Sequence, residues 1–130
     1  MNVLPENTNH RIYKRVHCAD GYHVSIQAHY GSYCAPRPGG DAFGMGGARE
    51  DYAGPFYKVE LGFPSAHDAL LNEWGSDPDD PTGTIYGYVP VDVVRELIAK
   101  HGGMVKGECP PLSGDQPEKA EGYSVTGGAS

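Results

Sequence analysis

Residues 11–29 read RIYKRVHCADGYHVSIQAH, and this stretch contains the clearest structural pattern of the chain. It contains two runs that alternate between apolar and polar residues, Arg11 to Cys18 and Tyr22 to His29, separated by Ala19-Asp20-Gly21. Alternation at period two is typical of a half-buried strand, and a three-residue loop ending on glycine is typical of a hairpin. The stretch therefore predicts a β-hairpin with Gly21 in a left-handed conformation.

The three-residue loop also predicts which strand positions lie opposite each other. It pairs Val16 with Val24 and His17 with His23, and it separates an apolar side from a polar side. The apolar side carries Ile12, Val16, Cys18, Tyr22, Val24, Ile26 and Ala28, and the polar side carries Tyr13, Arg15, His17, His23, Ser25, Gln27 and His29. A two-residue turn would shift the register by one residue and mix the two sides, so we favour the longer loop.

Two further strands and two helices follow the hairpin in the predicted order. Residues 57–63 alternate, with Tyr57, Val59, Leu61 and Phe63 predicted to face the core, and residues 84–89 form the next strand, with Tyr86 and Tyr88 on one face. Ser65 is the predicted cap of a short helix. Pro90 begins a longer helix that ends at Gly102-Gly103. The order indicates an α+β fold: an antiparallel sheet of about four strands with a helix of the C-terminal half packed on one face.

The domain organisation follows from length and from the distribution of glycine and proline. The chain of 130 residues is the size of one domain, and we predict a single α+β domain over residues 1–109. Residues 38–54 are rich in glycine and predict a long loop. Residues 110–130 lack apolar periodicity and predict a disordered tail.

Charge and cysteine content restrict the partners and the compartment. The net charge is -7, with +2 over residues 1–37 and -9 over the remainder. Such a chain repels nucleic acid and anionic membranes as a whole, and no apolar run approaches the roughly 20 residues of a membrane span. Three widely spaced cysteines do not indicate a disulfide framework. We therefore expect a cytoplasmic protein that binds neither nucleic acid nor membrane, with homo-oligomerisation left open.

Three motifs raise the question of catalysis. His17 and His23 lie across from each other in the predicted register, so both could reach one zinc or copper ion, with Cys34 or Asp20 as a third ligand. Cys34 precedes Pro36-Arg37, and a nearby cation would activate its thiol. The run Gly44–Gly47 lacks the following helix that a phosphate loop needs. Solvated strand histidines and a structural thiol explain the first two motifs better, so we assign no catalytic residue, no metal and no cofactor.

Binding chemistry is better represented than catalytic chemistry. The polar side of the hairpin is the most basic part of an acidic chain, and arginine and tyrosine are frequent binding hot spots. The predicted binding residues are Tyr13, Arg15, His17, His23, His29, Tyr33 and Arg37.

Several motifs also resemble a group of small proteins of tailed phages and prophages. They are VHCADGY at 16–22, YCAPR at 33–37, VELGFPS at 59–65, YGYVP at 86–90 and KHGG at 100–103. The resemblance covers residues 8–112, with 38–51 as an insertion. It transfers no activity. It implies a protein made in the cytoplasm of an infected bacterium.

The resemblance and the polar hairpin lead to one functional expectation and two alternatives. The expectation is a phage accessory protein that binds and inhibits or redirects a host protein or complex, including a defence complex in the manner of anti-CRISPR proteins. The first alternative is a metal- or thiol-dependent enzyme that uses His17, His23 and Cys34. The second is a virion or assembly component.

Overall fold

The computed structural model describes residues 8–39 and 47–114 of the chain. A five-stranded antiparallel sheet has the strand order β6-β5-β2-β1-β7, and one α-helix packs against it. The elements are β1 Val16–Cys18, β2 His23–Gln27, β3 Arg37–Pro38, β4 Gly47–Ala48, β5 Lys58–Gly62, a 3₁₀ helix Ala69–Trp74, β6 Ile85–Pro90, α1 Val91–Lys100 and β7 Met104–Lys106. Strands β3 and β4 form a separate parallel pair. The predicted α+β class is confirmed.

The hairpin has the predicted register. Val16 pairs with Val24 and His17 with His23, and Gly21 has a φ of 96°. The loop closes through two backbone bonds, from the Cys18 N–H to the Tyr22 carbonyl and from the Gly21 N–H to the Cys18 carbonyl. The alternating pattern thus determines the pairing through burial of one side.

The start of the hairpin differs from the prediction, because the strand pairing begins only at Val16. Ile12, predicted in the core, is 68% exposed, and Tyr13, predicted on the polar side, is only 4% exposed. The side-chain amide of Gln27 bonds the backbone N–H and carbonyl of Tyr13. At Tyr13 these side-chain bonds take the place of backbone bonds between strands. The alternation of buried and exposed residues in 16–18 therefore does not continue back to residue 12.

The core lies between the sheet and the helices. The inward side of the sheet contributes Val16, Cys18, Tyr22, Val24, Ile26, Ala28, Val59, Leu61, Tyr86 and Val89, all buried. Val94 and Leu97 of α1 and Leu71 of the 3₁₀ helix cover this surface. The predicted helix is confirmed, with Pro90 as its N-cap and His101 as its C-cap. Gly102 and Gly103 follow with positive φ.

Strands β5 and β6 correct several predicted orientations. Tyr57 and Phe63 were predicted in the core but are exposed, because they lie just outside β5. Tyr86 is buried whereas Tyr88 is exposed, so the two do not share a face. The register shifts between Val59 and Leu61 opposite this part of β6, and such an irregularity reorients side chains.

The short helix has a different cap from the predicted one. The carboxylate of Asp68, rather than the hydroxyl of Ser65, accepts the Leu70 N–H at 2.9 Å. Ser65 instead pairs with β2, since its N–H donates to the His23 carbonyl and its hydroxyl accepts the His23 N–H. The chain after Pro64 is therefore an extension of the sheet before the helix begins.

The ordered structure extends past the predicted end of the domain. Strand β7 lies within the predicted domain and pairs with β1 as a fifth strand. Beyond residue 109, Leu112 is buried and forms a bridge with Phe56, and the Ser113 N–H donates to the Phe56 carbonyl. The tail boundary at residue 110 therefore lies too early. Residues 115–130 and most of the glycine-rich run, 40–46, lie outside the described residues, where the predictions of a tail and a long loop stay predictions.

Candidate binding surface

The side of the sheet opposite α1 is polar, and we call it the outer face. It carries His17 on β1, His23, Ser25 and Gln27 on β2, and Glu60 on β5. Each of these side chains is partly exposed. Their alternation with the buried core positions follows from the period of a strand.

At one end of the outer face, Arg15 and two histidines are in contact. The rings of His17 and His23 have centroids 5.2 Å apart. Nε of Arg15 donates to Nδ1 of His23 at 2.7 Å, and a terminal guanidinium nitrogen donates to the Phe63 carbonyl. Arg15 is thereby held along the face at the edge of β5. The structure brings together Arg15, His17 and His23, as predicted from the hairpin register.

The electrostatic setting keeps His23 neutral. Burial lowers the pKa of His23 below its ordinary value, and the positive charge of Arg15 and the neighbouring His17 lower it further. A guanidinium can only donate, so Nδ1 of His23 accepts and the proton lies on Nε2. His23 therefore offers an N–H donor.

At the other end of the outer face, two tyrosines form an exposed pair. Tyr33 is 49% exposed and Tyr88 45% exposed, and their ring centroids lie 5.8 Å apart. The Tyr33 N–H donates to Oε1 of Glu60 at 2.9 Å, and the Tyr88 N–H donates to the Tyr33 carbonyl at 3.0 Å. A Cβ at Gly87 would lie 3.1 Å from that of Tyr33. Glycine at this position thus lets the pair form, and we call Tyr33 and Tyr88 the tyrosine pair.

Tyr88 has an unfavourable backbone conformation for a tyrosine. Its φ is 55°, in the left-handed region, where a residue with a side chain loses roughly 1–2 kcal/mol. Its ring is half exposed, so burial in the core does not offset this cost. Strain of this kind at an exposed aromatic residue is a recognised sign of a functional position.

The remaining predicted binding residues lie elsewhere. Tyr13 is buried, with the Arg11 guanidinium 4.5 Å from its ring centroid. His29 is half-buried and its Nδ1 accepts the Gly31 N–H; burial lowers its pKa, an effect only partly offset by Glu60. Arg37 belongs to β3, outside the five-stranded sheet. Tyr13 is therefore wrong as a surface residue, and Arg37 is not on the outer face.

The thiol proposed as a nucleophile lies in an unfavourable environment. Cys34 is buried and its Sγ contacts the His29 carbonyl at 3.6 Å. Burial raises the pKa of its thiol to about 11, despite the opposing effects of that hydrogen bond and Arg37. The thiol is thus protonated at neutral pH. Within residues 8–39 and 47–114, no three metal-ligating side chains converge on one point.

The structure also contains a charged cluster at the hairpin tip that the sequence did not predict. Nδ1 of His101 lies 2.7 Å from Asp20, and Nε2 lies 2.8 Å from Asp68. Nζ of Lys100 bonds Asp68 at 3.0 Å, and the Tyr22 ring stacks on His101 with centroids 3.9 Å apart. The cluster joins the hairpin, the 3₁₀ helix and the end of α1. We call these five residues the tip cluster.

The two carboxylates favour the protonated form of His101. Burial alone would lower the pKa of His101, but the hydrogen bonds and charges of Asp20 and Asp68 outweigh it and raise this pKa. Burial would raise the pKa of Asp68, yet bonds from the Leu70 N–H, His101 and Lys100 lower it. The Tyr22 N–H and then His101 lower the pKa of Asp20. With both ring nitrogens bonded to carboxylates, His101 serves as a link in the fold rather than as a general base.

The fold and surface together define an α+β protein with one polar, tyrosine-flanked sheet face. No protein-family model matches the chain, and comparisons with curated proteins and with solved structures also give no match. Among the described residues, no helix has the length and apolar character needed to cross a bilayer.

Proposed function

We propose that the protein acts by binding another protein stoichiometrically through its outer face and tyrosine pair. The phage resemblance of its motifs extends this to a phage accessory protein that inhibits or redirects a host protein or complex. The observation that carries the proposal is the tyrosine pair, two half-exposed rings in contact, one of them on a strained backbone.

The chemistry of the surface supports binding. Tyrosine offers a large, rigid contact area that is enriched in binding hot spots. Gln27 pairs with Glu60 near one end of the outer face, and His23 lies four residues earlier on β2 at the other end. With a rise of about 3.3 Å per residue, the two ends are about 13 Å apart. Such a surface fits within the roughly 800 Å² that one partner contributes to a standard interface.

The proposal is tested by capture of partners from a bacterial lysate with matched variants. We expect the unmodified protein to retain a discrete protein at about one copy per chain. Tyr33→Ala and Tyr88→Gly should each weaken this binding about thirtyfold, the equivalent of ~2 kcal/mol for a hot spot. Tyr88→Gly should leave stability equal or higher, because glycine adopts the left-handed conformation without strain.

Tyr57→Ala is the control. Tyr57 is as exposed as Tyr33, but it precedes β5 and belongs to neither the outer face nor the tyrosine pair. This variant should retain the partner. The proposal fails if all three variants behave alike, or if the biological effect persists far below one copy per target molecule.

A further inference from the structure

Three side chains form a line across the outer face at its Arg15 end. In the register of the sheet, His23 on β2 pairs with His17 on β1, and His17 pairs with Lys106 on β7. Directly opposed residues on one side of an antiparallel pair have Cβ atoms about 5 Å apart. The line from His23 to Lys106 is therefore about 10 Å long.

Arg15 adds a fourth basic side chain to this line. It precedes His17 by two residues and its guanidinium contacts His23. The bonds to His23 and to the Phe63 carbonyl use two of its five N–H donors. The other three have no partner among the described residues and are available to an anion. Arg15, His17, His23 and Lys106 are called the basic cluster from here on.

Acidic groups of the hairpin tip and of the segment after β7 already have partners within the chain. Glu108, which follows β7, accepts the Lys14 N–H and forms an ion pair with Arg11. Asp20, at the tip of the same hairpin, bonds His101. The side chain of Lys106 is exposed and forms no hydrogen bond or ion pair within residues 8–39 and 47–114. The cluster is thus a local positive area on a chain of net charge -7.

We propose that the basic cluster binds the carboxylates of an extended acidic segment of the partner protein. This deepens the proposed function and rests on it. The planar guanidinium of Arg15 fits a carboxylate, and the Nε2–H of His23 and the ammonium of Lys106 are further donors. Carboxylates at alternate positions of an extended segment lie about 7 Å apart, so two of them fit along the line from His23 to Lys106.

The charge distribution favours an acidic protein segment over a nucleic acid. A nucleic acid carries negative charge along its whole length. Most of that charge would lie outside the basic cluster, which is only about 10 Å long. Residues 38–130 carry a net charge of -9, which opposes a long polyanion lying across the molecule. A short acidic segment meets only the basic cluster.

The test uses defined probes and the full-length protein. A labelled peptide that alternates glutamate and serine is titrated at low salt, beside a glutamine-serine peptide and an oligothymidylate of equal length. We expect the amide signals of His17, His23 and Lys106 to shift with the glutamate peptide alone.

Lys106→Gln and Lys58→Gln are matched variants. Lys58 is an equally exposed lysine on β5, opposite Pro90 and outside the basic cluster. Lys106→Gln should weaken binding of the glutamate peptide about fivefold, while Lys58→Gln should leave it nearly unchanged.

Several results would overturn the inference. They are equal weakening by the two lysine variants, tighter binding of the oligothymidylate, or the absence of shifts in the basic cluster. If any of these occurs while partner capture still depends on Tyr33 and Tyr88, partner binding stands and only the acidic segment is wrong. If capture is insensitive to the tyrosine pair but the peptide binds as described, the proposed function fails instead.

Discussion

The tip and the outer face of one hairpin use histidine in opposite ways. At the tip, His101 lies between Asp20 and Asp68, which raise its pKa and occupy both ring nitrogens. On the outer face, His23 lies against Arg15, and burial and that cation lower its pKa. The first arrangement is complete within the chain, whereas the second leaves N–H donors facing outward.

This difference shows how two polar clusters in one small domain can have separate roles. The tip cluster links three elements that are distant in sequence, so we expect changes there to alter the free energy of unfolding. The outer face links mainly neighbouring strands and exposes its side chains, so we expect changes there to alter binding. Variants of the two regions can test this separation between stability and binding.

Replacement of Asp68 should have the largest effect on stability. Its side chain is 3% exposed and accepts bonds from the Leu70 N–H, Lys100 and His101. Asp68→Ala removes a helix cap and leaves these donors unpaired, which should cost about 3 kcal/mol. Urea denaturation measures the loss.

Two variants serve as controls for Asp68→Ala. Asp68→Asn keeps an acceptor for the Leu70 N–H but removes the charge, and it should lose about half as much. His17→Ala on the outer face should change stability by about 0.5 kcal/mol or less. Similar losses for Asp68→Ala and His17→Ala would contradict the division between the tip and the outer face.

Replacement of Gly21 should have a smaller effect. Gly21 has a φ of 96°, and a Cβ there would meet no atom within 4 Å. Gly21→Val should therefore cost about 1–2 kcal/mol through backbone strain alone. Gly21→Asn should cost less, because asparagine visits the left-handed region more readily. Thermal or urea denaturation of both variants checks the order, and an unchanged Gly21→Val protein would argue against this turn.

Features set by residues close in sequence were predictable. The pairing of Val16 with Val24 follows from alternation around one turn, and the helix between Pro90 and Gly102 follows from its period and end signals. In both cases the apolar pattern itself determines which side is buried. The pairing of His17 with His23 follows from the same register.

Features set by distant side chains were not predictable from the sequence. His101 and Asp20 are 81 residues apart, and only the tertiary fold brings them into contact. Tyr13 turns inward because the Gln27 side chain replaces the strand ladder. Tyr88 turns outward at a register shift, and although Gly87 is compatible with a bulge, it does not by itself specify which side chains turn outward.

The dependence of stability on pH should show the smallest effect, with opposite contributions from the two histidines. The pKa of His101 is raised in the folded state, so His101 contributes its full stabilisation of the fold below about pH 6.5. This stabilisation is lost as the pH rises through the folded-state pKa. The pKa of His23 is lowered in the folded state, so its contribution to stability is complete above about pH 6.5 and is lost as the pH falls through the folded-state pKa. His29 acts in the same direction as His23. Stability measured by urea denaturation should therefore decline on both sides of about pH 6.5.

Variants separate the two contributions. His101→Gln should remove the decline above about pH 6.5, and His23→Gln should reduce the decline below it. His29 and, at lower pH, Asp20 and Asp68 supply the remainder, because their pKa values are also lowered in the folded state. A decline above this pH that persists in His101→Gln would mean that another group causes it.

An NMR titration of the histidine ring signals is the most direct test of the division between tip and outer face. Each signal is assigned by comparison with the His101→Gln and His23→Gln proteins, and its midpoint is read as the pH is varied. We expect a midpoint for His101 above the ordinary value of about 6.5 and one for His23 below it. A His101 midpoint at or below that of His23 would mean that the tip and the outer face do not differ in this way.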